Sequence, residues 1–135
     1  MGSNTLAFLV ARLAIGMSFF GHGAIRLPKL QQFSDGMVKE FADSPLPSIL
    51  VLPFSYALPF LELVVGVLLI IGLFTKYAAL ATGLILVSLI FGSGMIENWG
   101  AVATQLTHTA FIVYLLSFVD TSNRFSVDHY LANKS

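Results

Sequence analysis

Apolar positions in this chain fall into four long runs separated by short polar breaks. The first, residues 6–25, contains Arg12 and His22 as its only ionisable side chains. The second, 49–74, is interrupted by Pro53, Pro59 and Glu62; the third, 77–96, carries no charge. The fourth, 101–119, opens on Thr104, Gln105, Thr107 and His108 and finishes as a clean apolar run. Each approaches the roughly 20 helical residues that a hydrocarbon core about 30 Å thick requires. The first run has no basic stretch ahead of it and holds an arginine inside it, so it reads as a retained span and not a cleaved leader. Residues 26–44 behave differently. Leu27, Leu30, Phe33, Met37, Val38 and Phe41 recur at three- and four-residue spacing among Arg26, Lys29, Asp35, Lys39, Glu40 and Asp43. That period predicts an amphipathic helix on the membrane surface, ended by Pro45 and Pro47. The tail after Asp120 is short and polar. The pattern as a whole predicts an all-α fold: an integral membrane antiparallel four-helix bundle, residues 1–135 forming a single membrane domain with both termini on one side.

Composition sharpens this picture. Of 135 residues, 56% are hydrophobic and 10% charged, whereas a soluble domain carries about 25% charge to face water. Mean hydropathy is +0.85. The seven basic and seven acidic residues cancel, which leaves no electrostatic footprint for nucleic acid. With no cysteine, the chain has no disulfides, thiolate metal sites or iron–sulfur ligands. Basic residues divide evenly, with Lys76, Arg124 and Lys134 on the terminal side and Arg26, Lys29 and Lys39 on the other. The positive-inside rule therefore does not decide the orientation; Arg12, near the start of its span, tips the termini toward the cytoplasm.

Polar residues at membrane depth carry the chemistry, because a charge there costs at least about 2.5–3.5 kcal/mol on insertion scales. Counting 1.5 Å per residue from each surface places Arg12 about 9 Å and Glu62 about 10 Å from the terminal side. The two are expected to pair, either as a register lock or as a ligand-orienting, proton-handling carboxylate with its partner. Arg12, Gly16, Phe19, Gly23 and Arg26 share one face of the first span, and Ser55, Pro59, Glu62, Gly66 and Leu69 one face of the second. A second polar layer gathers near the opposite surface: His22, Arg26, Glu97, Trp99, Gln105 and His108. Trp99 reads also as an interfacial anchor. Quinone oxygens need donors such as His, Gln or Arg near an interface, and proton release needs a His or carboxylate with a route to water. Glu62, His22 and His108 are the candidate catalytic residues, and Arg12, Arg26, Glu97, Trp99 and Gln105 the candidate ligand-binding ones. Haem b with axial His22 and His108 is the alternative cofactor, though no other haem cue is visible. No metal motif is present, since neither histidine has a carboxylate at helical spacing. Small residues at four-residue spacing, Ala79 with Gly83 and Ala7 with Ala11, offer close-packing faces, one of which could support a homodimer.

Gly21-His22-Gly23 followed by Arg26-Leu27-Pro28-Lys29-Leu30, then Pro59-Phe60-Leu61-Glu62 with Gly66 and the run 68–76 ending Gly72-Leu73-Phe74-Thr75-Lys76, resemble the DoxX/DoxD family of small four-span membrane proteins. Ile96-Glu97-Asn98-Trp99 with Gln105-Leu106 is similar to a bacterial DoxX-like subgroup. The resemblance covers the first two-thirds of the chain and carries over Arg12, Lys29 and Glu62 as family positions. It implies a multi-pass protein of the bacterial inner membrane and a membrane subunit of a quinone-linked oxidoreductase of the thiosulfate:quinone type, working with a soluble or membrane partner subunit. The alternative expectation is a non-catalytic membrane scaffold or small-molecule carrier.

Overall fold

The computed structural model describes residues 2–134 and is helical throughout, with no strand among them. Helix α1 spans Ser3–Arg26, and a single 3₁₀ turn, Leu27–Lys29, leads into α2, Leu30–Glu40. After the Pro45/Pro47 break come α3 (Ser48–Ile71), α4 (Thr75–Met95), α5 (Trp99–Ser122) and a short α6 (Val127–Lys134). Four helices are long and apolar enough to cross a membrane. At 21 to 24 residues, α1, α3, α4 and α5 reach about 32–36 Å. The chain is an integral, multi-pass membrane protein in contact with the lipid bilayer. Its outward faces are correspondingly apolar: Val10, Ile49, Val64, Leu84 and Val113 are all well exposed.

Two helix pairs make the bundle. α1 lies along α3, α4 along α5, and the pairs meet through α1 with α5 and α3 with α4. Glycines set the first seam. A Cβ on Gly66 would stand 2.4 Å from the Phe20 nitrogen, and one on Gly23 would stand 2.6 Å from the Leu63 nitrogen. The backbones therefore touch where side chains would normally keep helices apart. All five residues of the Ser55–Leu69 stripe are buried, as are Arg12, Gly16, Phe19 and Gly23 on α1, so the two predicted faces meet. α3 runs unbroken through Pro53 and Pro59. Their missing N–H groups free the Ile49 and Ser55 carbonyls, and such breaks are tolerated in a span.

The register of that seam differs from the depth arithmetic. Arg26 bonds Glu62, Gly23 faces Pro59 and Leu63, Phe20 faces Gly66, and Arg12 reaches Ile70 and Gly72. Arg12 and Glu62 thus do not pair. The reason is α2, which continues antiparallel along α3 in the same register as α1. Gln31 accepts from the Tyr56 hydroxyl at 2.6 Å, and Ser34, fully buried, bonds Ser55 at 2.7 Å. The first turns of α3 are occupied by α2, so α1 ends against the middle of α3. The amphipathic helix turns Phe33 and Met37 into the protein core, and just beyond its end Phe41 rests against Gly92 of α4.

The short connections are individually capped. Gly72 adopts φ +72°, the left-handed helix terminus that glycine favours. Gly72 and Leu73 both donate to the Leu68 carbonyl. Glu97 also has positive φ, at 56°, and Asn98 caps α5 by accepting from the Ala101 amide.

Candidate functional site

The two ends of the bundle are built differently. At the terminal end, Arg12 is 2% exposed. Its Nη1 donates to Asn123 Oδ1 at 2.8 Å, its Nη2 points to the Ile70 carbonyl at 3.5 Å, and its Nε has no partner. Asn123 in turn donates to Thr75 at 3.0 Å. The polar tail forms α6, whose Asp128 carboxylate accepts from the Phe74 and Thr75 amides at 2.6 and 2.8 Å. An acidic cap on the start of α4 compensates its unpaired amides and dipole. The sequence does carry a sign of α6: Ser126 stands where a helix cap belongs, and its Oγ accepts from the His129 amide.

At the opposite end the α1/α3 and α4/α5 pairs part around an open-sided cavity of about 940 Å³, with α2 along its wall. Most of its wall is apolar, including Phe33, Phe54, Leu58 and Leu86. His22, Arg26, Glu62, Gln105 and His108 all line it. Arg26 Nη1 donates to Glu62 Oε1 at 2.8 Å, and the guanidinium lies over the Phe33 ring at 4.5 Å. The Glu62 side chain is only 4% exposed and that of Arg26 28%. This is a charge pair whose carboxylate is buried and whose guanidinium borders open space.

Ser18 joins the two imidazoles. Its carbonyl accepts from His22 Nδ1 at 2.6 Å, and its Oγ bonds His108 Nε2 at 2.9 Å. His108 Nδ1 donates to the Thr104 carbonyl at 2.8 Å, so both of its ring nitrogens are engaged, and Phe19 meets its ring edge-on. Across the cavity Gln105 Nε2 donates to Ser93 Oγ at 3.0 Å, while Gln105 Oε1 is buried with no partner.

Three expected ligand-binding residues lie elsewhere. Arg12 belongs to the terminal end, more than a dozen residues along α1 from Arg26. Glu97 and Trp99 flank the Asn98 cap outside the cavity lining, where the positive φ at Glu97 turns the chain and both side chains are exposed. Ser18, Ser93 and Glu40 line the cavity although no motif marks them; only Ser18, one helical turn before His22, has a spacing that points to it. Among the described residues no three His, Cys, Asp or Glu side chains cluster as metal ligands.

The family model described as DoxX matches residues 7–95, which hold most of α1 and all of α2, α3 and α4 together with the Arg26–Glu62 pair. The chain belongs to the DoxX family. No curated protein and no solved structure was found to match it.

Proposed function

We propose that this protein is the membrane subunit of an oxidoreductase complex and binds quinone or quinol in the cavity. The observation that supports this reading is the cavity itself: an apolar chamber of about 940 Å³ whose polar groups converge from α1, α3 and α5. Ligand pockets are mostly apolar with a few placed polar groups, and the unpartnered Gln105 Oε1 is a buried group that a bound hydroxyl would satisfy. Arg26 and Gln105 hold the ring oxygens, and Phe33, Phe54 and Leu58 face the ring and tail. Glu62, with one oxygen held by Arg26, and His22 take up or release protons. His108, bonded to Ser18 and Thr104, fixes α5 against α1. Haem b is a poorer fit, because bis-histidine ligation would require His108 to give up one of those bonds. A pure scaffold has no use for such a chamber; a small-molecule carrier would share it.

In this reading the protein lies in the bacterial inner membrane with cytoplasmic termini, and the cavity opens toward the opposite face, where the partner subunit docks. The first experiment is solvent extraction of the purified protein followed by quinone analysis. Ubiquinone or menaquinone should copurify, and a quinone analogue should raise Tm in the wild type but not in Arg26→Met. Quinone-free protein with no analogue-induced shift would overturn the reading.

A further inference from the structure

We infer that the ligand enters and leaves the cavity sideways from the bilayer, through a window between α3 and α4 in which its apolar chain stays lodged; this rests on the quinone/quinol reading above. Four helix seams surround the cavity, and three are fastened by side-chain hydrogen bonds. Arg26 and Glu62 join α1 to α3, Ser18 and His108 join α1 to α5, and Gln105 and Ser93 join α5 to α4. No side-chain hydrogen bond joins α3 to α4 among the described residues. These two helices are linked through the chain at the terminal end, by residues 72–74, and the far end of their seam is free to part.

The cavity reaches the membrane through that seam. On α4, Tyr77, Leu80, Leu84, Val87 and Phe91 recur at three- and four-residue steps and are all well exposed, which makes them its lipid-facing stripe. Val87 and Phe91 nevertheless line the cavity, as does the exposed Leu50 in the first turn of α3. A side chain that faces lipid and cavity at once stands on the rim of an opening. This rim is apolar, and what meets it from the hydrocarbon is a chain such as the tail of a quinone. α3 is also the softer wall, because Pro53 and Pro59 remove two of its backbone bonds beside the window. Toward water the passage is narrower: the connection after α2 sets Phe41 against Gly92 of α4, and Leu46 joins the lining. Outside the Ser18–His108 bond, the α1/α5 seam shows a groove of about 100 Å³, bordered by Ala14 and Phe111.

The test uses the full chain in nanodiscs, with exchange of tritiated decylubiquinone against unlabelled ligand as the readout. The chain has no cysteine, so Leu50→Cys with Phe91→Cys can be joined by a reducible bifunctional methanethiosulfonate, and the unlinked protein is its own control. Linking should slow exchange at least about tenfold, as expected when a required opening is blocked, and reduction of the linker should restore it. The same linker between Ala14→Cys and Phe111→Cys, across the α1/α5 groove, should leave exchange within about twofold. Val87→Phe, on the lipid face where folding tolerates bulk, narrows the window and should slow exchange at least about threefold. Unchanged exchange in the linked α3/α4 protein, or in Val87→Phe should the cysteine pair fail to fold, overturns the inference and leaves the quinone reading intact. Equal slowing by the α1/α5 link also overturns it. Absence of decylubiquinone binding by the wild type overturns the reading and the inference together.

Discussion

The bundle contains two arginines on one face of the same helix, and they are stabilised in opposite ways. Arg12 hydrogen-bonds only neutral groups, an amide oxygen and a helix-terminal carbonyl, with the Asp128 carboxylate acting on it from further off. Arg26 meets a carboxylate and borders a chamber. At the terminal end polar groups are spent on one another: Asn123 joins Arg12 to Thr75, and Asp128 caps α4. At the other end several valences remain open to the cavity. Each end keeps one buried atom without a partner, Arg12 Nε and Gln105 Oε1; what separates the two is the cavity that only the second end borders.

Substitutions can break or sharpen this contrast. The largest effect is expected in the seam that both ends share. Gly66→Ala forces a Cβ to 2.4 Å from backbone of Phe20, and separating α1 from α3 should cost about 3 kcal/mol or more, read as loss of folded protein in detergent. Next, Arg12→Met leaves Asn123 short of its donor in a buried site. A loss of about 2–3 kcal/mol should appear as a lowered Tm with ligand binding retained in the folded fraction. A double-mutant cycle then locates the charge pair: Arg26→Met with Glu62→Leu should show coupling of about 1–3 kcal/mol, whereas Arg12→Met with Glu62→Leu should be additive. Coupling in the second cycle and none in the first would reverse the register described for α1 and α3. Asp128→Ala removes an acidic helix cap and should cost about 1 kcal/mol in thermal unfolding. The smallest effect belongs to the cavity end. Gly92→Ala, inside α4, meets only the Phe41 ring, at 3.4 Å, and should raise stability by about 0.5–1 kcal/mol, the usual gain for replacing glycine in a helix.

Rotation about a helix axis is legible in the sequence, and translation along it is not. The stripes through Arg12 and Glu62 each mark a single face, and the two faces are buried against each other. A period of 3.6 fixes which side chains share a face but says nothing of how far one helix slides past its neighbour. The slide is set by α2, whose Ser34 and Gln31 occupy Ser55 and Tyr56, contacts invisible in an apolar pattern. For the same reason nearness to one surface groups His22, Arg26, Gln105 and His108, which line one cavity, with Glu97 and Trp99, which do not, while depth arithmetic gives Glu62 the wrong arginine. α6 is hard to see because eight largely polar residues have almost no hydrophobic period, although Ser126 and Asp128 are local signs of it.

The docking of the tail has a practical consequence for handling the protein. Residues 123–128 look disposable in the sequence, a polar remainder after the last span. Yet Asn123 holds Arg12, and Asp128 closes the turn between α3 and α4, its amide donating to the Gly72 carbonyl. Trimming the chain after Asp120 would strip a buried guanidinium of its best partner and uncap a spanning helix in one cut. An affinity tag placed at the C-terminus needs a spacer long enough to leave α6 seated, and the exposed N-terminal Gly2 is the safer point of attachment.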